Sequence, residues 1–420
     1  MATRFYCGAT TAVNLTPSYS GWNVTTNAVR RRLSGSKSRT TEDAIASKAH
    51  AVTGASGDEH LWYQFVGEDW PLAAQTINSG STVTLVFRIQ ESNALSNVFL
   101  YANVRIMSSD GATERGSIAG ADATEAATTL TSRTMTLTFG SNINVSSGDI
   151  VVVEVGFTKN STTSYTTTIS SGDNSATDLD NTDADTGADN PWIEFSQTLT
   201  FATTRFYLPS SGTSALGSLA RHSNWFTASG PDSRYPLVTT KTSTANSTVS
   251  NTANSTASER VIVQFVSEPL NAQTIRGCVR LAISCKETST SGDQFIAWHL
   301  RVVSNDGTTE RGVLYDDTFG ASDVEFGASF AARISLYKEV TALTVSAGDR
   351  LVFELGTAWP VTGTTGTGDL RIGDNNGSDL PWTFDDTSTA DPWVEINFPL
   401  SFQSTSTSVP NQLMLMGCGT

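Results

Sequence analysis

Gly148-Asp149-Ile150-Val151-Val152-Val153-Glu154-Val155-Gly156-Phe157 is the stretch on which the fold turns. A run of β-branched residues that is apolar on both faces of an extended chain reads as a central strand packed on both sides. The arrangement returns as Gly348-Asp349, followed by another apolar run with Glu354 and Gly356. Working outward, Asp110-Gly111 through Glu114-Arg115-Gly116 returns as Asp306-Gly307 through Glu310-Arg311-Gly312, and Gln75-Thr76-Ile77 as Gln273-Thr274-Ile275. At the edges, Thr3-Arg4-Phe5-Tyr6 matches Thr204-Arg205-Phe206-Tyr207, and Pro191-Trp192-Ile193-Glu194 matches Pro392-Trp393-Val394-Glu395. The offset drifts only between roughly 196 and 204 residues, which marks a whole domain in tandem rather than a short solenoid repeat. The expected division is 1–201, 202–403 and a tail, 404–420.

Helical periodicity is nearly absent. Strand signals recur instead at Leu61–Val66, Thr82–Ile89, Val98–Met107, Arg133–Phe139, Ile150–Phe157 and Trp192–Phe201, with shorter candidates near Phe5, Trp22 and Thr166. The second half offers Val261–Val266, Val279–Cys285, Phe295–Val303, Arg333–Tyr337, Leu351–Leu355 and Trp393–Phe402. Between them lie Ser, Thr, Asn, Asp and Gly clusters, among which Asp110-Gly111 and Asp306-Gly307 are tight-turn signals. The fold class that follows is all-β: two tandem antiparallel β-sandwich domains, jelly-roll-like. Trp192 and Trp393, each behind a proline at the mouth of the last strand, are expected to cap the open end of a sandwich. The junction Phe201-Ala202-Thr203 is too short for a flexible linker, so the halves are expected to sit in a fixed relation.

The 420 residues carry 26 Lys plus Arg against 41 Asp plus Glu, a net charge of -15. So acidic a chain repels phosphate backbones, which excludes direct nucleic-acid binding. The one basic cluster, Arg30-Arg31-Arg32, reads as a solvated strand edge. No stretch of about 18 apolar residues is present, so no membrane span is expected. The start runs from Met1 almost directly into repeat sequence without the regions of a signal peptide, and synthesis in a cytoplasm is expected. Cys7, Cys278, Cys285 and Cys418 have no metal-ligand spacing and no counterparts across the halves, which argues for buried apolar thiols and one terminal thiol rather than a disulfide framework.

Chemistry is sparse. The four histidines, His50, His60, His222 and His299, all face other residue types in the opposite half. Zinc-protease, nucleophile-elbow, P-loop and dinucleotide motifs are missing, so catalytic residues are expected to be none. What the halves share is charged: Glu154 with Glu354, Glu194 with Glu395, Arg105 with Arg301, Arg115 with Arg311, Arg133 with Arg333. Glu154 and Glu194 would be the pair of a glycosidase if they faced each other across a cleft. Otherwise the shared charges pair between neighbouring strands. Asp178, Asp180, Asp183 and Asp185 have the spacing of oxygen ligands for Ca²⁺; the competing reading is a solvated acidic loop. Trp62, Trp70, Trp225, Trp359 and Trp382 are the loop aromatics that would stack on a sugar. Leu413, Met414, Leu415 and Met416 form an apolar run behind a Ser/Thr-rich spacer, expected to dock on a neighbouring subunit or on the chain's own domain.

Three segments carry a resemblance: Arg205-Phe206-Tyr207-Leu208-Pro209-Ser210-Ser211-Gly212, the turn Val303-Ser304-Asn305-Asp306-Gly307 with Arg311-Gly312, and Pro392-Trp393-Val394-Glu395. Together they resemble a group of proteins encoded in the structural gene clusters of tailed bacteriophages, in which a β-sandwich unit of this size stands alone or in tandem. That resemblance implies a virion component, with other virion proteins and copies of itself as partners, and transfers no catalytic residue. The first half departs from it at Cys7-Gly8-Ala9, where the second has Leu208-Pro209-Ser210. The expected function is therefore a non-enzymatic part of a virion, decorating the capsid or joined to a tail or fibre. The alternative is a carbohydrate-binding adhesin for host-surface glycans.

Overall fold

The computed structural model describes residues 2–403 apart from 9–12, 27, 36, 38–45, 53–56, 163–164, 174, 227–229, 254–257, 290–292, 317–323, 341 and 360–365. The expected docking run Leu413 to Met416 lies outside the described residues. All regular structure in the described residues is strand, arranged as β-sandwiches. Their apolar residues form two large cores, one drawn from Phe5 to Leu199 with Phe201 against it, the other from Phe206 to Ile396 with Phe402 against it. Each buried Leu, Ile, Val or Phe in these cores contributes about 1.5–3 kcal/mol through removal from water.

In the first half one 11-stranded sheet folds over its own core. Its spatial order is Ala46–Val52, Tyr165–Ser171, Thr82–Glu91, Trp192–Phe195, Thr3–Cys7, Val29–Ser34, Glu59–Val66, Ile150–Lys159, Val98–Met107, Glu114–Glu125, with Thr131–Thr138 also paired to Thr82–Glu91. In the second half the matching strands form separate sheets of six and five. The difference lies in Val29–Ser34, which pairs with both Thr3–Cys7 and Glu59–Val66 and so joins the two layers. Its counterpart Ser233–Leu237 pairs with Ser258–Ser267, and only an isolated bridge, Tyr207 to Val238, reaches the other layer.

Among the described residues the ladders are antiparallel except for one parallel pair in each half, Val29–Ser34 on Glu59–Val66 and Ser233–Leu237 on Ser258–Ser267. Parallel neighbours need a long crossover, and the connections that follow these strands supply one. The basic cluster is therefore not a solvated edge. Arg30 donates from Nε to Gln64 Oε1 at 2.7 Å, and Arg32 meets Asp69 at 2.5 Å and Glu68 at 3.3 Å. Ile150–Lys159 is central, as its composition requires, between Glu59–Val66 and Val98–Met107. Val151, Val153 and Val155 face the main core, while Ile150 and Val152 face outward onto Val13 and Leu15. The turns at Asp110-Gly111 and Asp306-Gly307 have their glycines at φ 72° and 74°, where a side chain would be strained. Trp22 is not in a strand; it belongs to a strap across the outer face of the sheet.

Contacts among the described residues tie the halves together, beginning at the junction, where Ala202 N donates to Pro71 O at 2.8 Å. Asn397 Nδ2 donates to Asp69 O at 2.9 Å, and Arg276 Nη2 donates to Ser109 O. Arg276 is 8% exposed, lies over the Phe398 ring, and feels Glu68, Asp69 and Asp110 across the seam.

Candidate functional site

Two charged frames occur in both halves. The first is built on the central strand. Glu154 is fully buried on the outward face of the sheet, where Gln64 Nε2 donates to Oε1 at 2.8 Å, Arg105 Nη1 at 3.1 Å, and Trp22 Nε1 to Oε2 at 2.8 Å. Burial pushes its carboxyl above the usual range, against the pull of Gln64, Trp22 and Arg105. Glu354 repeats the geometry with Gln264 Nε2 at 2.7 Å, Arg301 Nη2 at 2.7 Å and Trp225 Nε1 at 2.6 Å, and takes a backbone N–H from its strap, His222, as Glu154 does from Ser20. Each carboxylate thus pins a strap, Tyr19-Ser20-Gly21-Trp22 or His222-Ser223-Asn224-Trp225, onto its sheet. The strap rings lie close enough that Gly156 and Gly356 have no room for a side chain. A Cβ there would come 1.9 Å from His60 O or Arg260 O on the paired strand, beside the register shifts between Val155 and Gly156 and between Val261 and Val263.

The second frame lies on the outer face of the opposite layer. Arg4 donates to Glu194 and to Asp178, both at 2.9 Å, and its guanidinium sits 3.9 Å from the Trp192 ring centroid. Lys37 meets Asp178 at 2.7 Å, and Trp192 Nε1 donates to Leu179 O at 2.8 Å. Arg205, Glu395, Asp379, Lys241, Trp393 and Leu380 O reproduce every part. Burial alone would raise Asp178 and Asp379, but the lysine and arginine on each outweigh it and hold both below the usual carboxylate range. Trp192 and Trp393 are buried at 5% and 1%, so they clamp the acidic loop to the sheet rather than close an end of the sandwich.

The glycosidase pair does not form. Ile193 and Phe195 face the core, as do Val153 and Val155, so Glu194 and Glu154 project from opposite outer faces with the core between them. Both are held by arginine, and neither opens into a common cleft.

The acidic loop forms an open depression lined by Thr177, Asp178, Asp180, Thr182, Ala184, Asp185 and Asp189. Its aspartates have partners in the protein: Asp178 meets Arg4 and Lys37, and Asp189 accepts Ser175 Oγ at 2.9 Å. Asp183 accepts Thr134 N at 2.6 Å, and Asp185 accepts Gly187 N at 2.7 Å and Asp180 N at 3.0 Å. Among the described residues no three His, Cys, Asp or Glu side chains converge where a metal ion would sit.

Four of the five sugar-stacking candidates are inaccessible. Trp62 and Trp225 are 1% exposed, Trp359 3% and Trp70 7%. Trp62 packs edge-on to Phe157, Trp70 against Phe201, and Trp225 against His299. Trp382 alone is half-buried, with the Arg280 guanidinium 4.8 Å from its ring centroid. Sequence reasoning missed both straps. Their signal was the pair of four-residue segments with Ser and Trp in register, Tyr19 to Trp22 and His222 to Trp225, set before strands that carry Gln64 and Gln264.

No family model matches the chain, and no curated protein matches it. Among solved structures it is similar to the infectious bursal disease virus Gx strain, at 8% identity over 86% of this chain and 80% of that one, with a TM-score of 0.20. The VP2 subviral particle of the same virus gives 8% identity over 84% and 78%, TM-score 0.20. A tandem CBM22-1-CBM22-2 domain from Paenibacillus barcinonensis Xyn10C gives 10% identity over 79% and 94%, TM-score 0.17. At these values the likeness carries no argument about what this chain does.

Proposed function

We propose that the chain is a non-enzymatic structural component of a bacteriophage virion, exposed on the capsid exterior or on a tail or fibre and assembled in many copies. The observation that carries this reading is where the shared charges go. Glu154 and Glu354 fix straps to sheets, while Glu194, Glu395, Asp178 and Asp379 fix loops to strands. An active site keeps a reactive group within reach of a cleft; these groups are saturated by neighbours and stiffen the module instead. The seam at Arg276 and Asn397 adds a fixed relation between halves, which suits a part that presents a surface within a particle. Its partners would be other virion proteins and copies of itself.

The test is quantitative mass spectrometry of purified particles of the encoding phage, calibrated against the major capsid protein. Recovery at a fixed, many-copy ratio is the expected result. Absence from washed particles would sink the proposal. Half-exposed Trp382 beside Arg280 favours one second reading, an adhesin that stacks a host sugar there. Saturable binding on a glycan array, lost in Trp382→Ala, is the outcome that would move the assignment.

A further inference from the structure

A third set of paired charges stands apart from both frames, where the strands Thr82–Glu91 and Cys278–Glu287 end. Glu91 and Glu287 are each 1% exposed. In each, Oε2 accepts one backbone N–H, from Val98 or from Gln294, at 3.1 Å. Each also faces a second carboxyl, Glu125 in the first half and Glu325 in the second. Glu125 Oε1 and Glu287 Oε1 are buried and receive no donor. Carboxylates only accept, so a contact between two of them is satisfied when one proton lies between.

The surroundings favour that proton. Burial first, and then the facing carboxylate, pushes Glu91 and Glu287 up to about 7. Near the first pair lies Tyr165, whose phenol is raised by burial and by the charge on Glu91, with Lys159 Nζ 5.4 Å from its ring centroid. Near the second lie Asp293 and the buried thiol of Cys285. Arg133 and Arg333 address the backbone carbonyls of Glu125 and Glu325, at 2.9 and 2.7 Å. Among the described residues no lysine or arginine forms an ion pair with any of the four carboxyls.

The backbone around each pair is equally matched. Ala126 N donates to Val98 O at 2.7 Å and Phe326 N to Gln294 O at 2.8 Å, while Glu91 N and Glu287 N donate to Ala127 O and Gly327 O. Each pair therefore ties the loop after its strand to the segment leading into the next one.

We infer that the two carboxyl pairs are shared-proton latches, each closing its end of a sandwich while one proton is held and releasing it when both groups ionise. The folded state holds this proton more tightly than an unfolded chain, where the ordinary value is 4.5. Stability from the latch is therefore complete below about pH 4.5 and is lost as pH rises through about 7. The inference does not depend on the virion reading; a soluble sugar-binding module would carry the same latches.

Hydrogen exchange of the full chain, read by mass spectrometry at about pH 6 and about pH 8.5 and corrected for intrinsic exchange, tests it. Segments holding Glu91, Val98 and Ala126, and those holding Glu287, Gln294 and Phe326, should lose protection roughly tenfold at the higher pH. In the double variant Glu91→Gln, Glu287→Gln, the amide donates to the facing carboxylate and protection should be the same at both. Equal protection in the unaltered chain, or the same loss in the variant, overturns the inference. Infrared spectra of the unaltered chain give a reading independent of the variant's folding. A protonated carboxylic acid band should be present at about pH 6 and absent at about pH 8.5, and its absence at the lower pH is also refuting. Recovery of protection on adding calcium at the higher pH would mean that the pairs hold a cation, and the proton latch would fall.

Discussion

Alanine at Gly356 is expected to damage the second half more than its single methyl suggests. The added Cβ would lie 1.9 Å from Arg260 O, 2.8 Å from Arg260 C and 2.9 Å from the Trp225 ring. The carbonyl cannot retreat without breaking the pairing of Val261 with Gly356. The indole cannot retreat without loosening its 2.6 Å bond to Glu354. Overpacking costs about 1–3 kcal/mol and weakening a hydrogen bond to a charged group about 1.5–3 kcal/mol, so the loss should be roughly 3–5 kcal/mol. For a half of this size each kcal/mol moves the melting midpoint by about 2–4 °C, which places the fall at about 6–20 °C. Scanning calorimetry against Gly140→Ala, where the new methyl meets nothing within 4 Å, isolates the effect from glycine replacement as such. A Gly356→Ala midpoint within about 1 °C of Gly140→Ala would refute the claim that strap and register shift compete for that space.

Other expectations follow the same logic. Glu154→Ala leaves Arg105 paired with Glu114 alone and takes the acceptor from Gln64 and from Trp22 Nε1, so denaturant unfolding should show a loss of about 1.5–3 kcal/mol; less than about 0.5 would mean that the strap is held elsewhere. Arg276→Ala should widen the small-angle scattering profile of the chain without lowering the stability of either half, and an unchanged profile would show that Asn397 and its neighbours suffice for the seam. Cys7 and Cys285, fully buried with thiols pushed up by desolvation, should resist alkylation until the chain unfolds; rapid labelling at neutral pH would contradict their placement.

The sequence made the strand content and the central position of Ile150–Lys159 legible, because both follow from local composition. It overran Trp192 and Trp393, whose strands stop at Phe195 and Ile396. It passed over Glu114–Glu125, the longest strand among the described residues, because Ser117, Gly120, Ala121 and Asp122 have weak strand preference and are held by pairing with Val98–Met107. The parallel pairs were invisible because register across a long connection leaves no local trace. Repetition was a better guide to the site than chemistry. Glu154 with Glu354, and Glu194 with Glu395, stood out by recurring, but their roles required knowing which face each occupied. The tryptophans misled because aromatic rings beside polar turns invite a sugar-stacking reading, yet Trp62 falls inside the strand signal Leu61–Val66, and Trp70 and Trp225 are buried outside the strands.

The seam between the halves also counts. Arg276 reaches into the first half, yet the matching position after Gln75-Thr76-Ile77 is Asn78, and Asn397 is matched by Ser196 behind Trp192. On the receiving side, Gly67-Glu68-Asp69-Trp70-Pro71-Leu72 is shortened to Ser267-Glu268-Pro269-Leu270, which removes the carbonyl that Asn397 uses. The plug is written only in the second half and the socket only in the first. The contact therefore has a direction: the second half reaches across and the first half receives, although the two share the same internal frames.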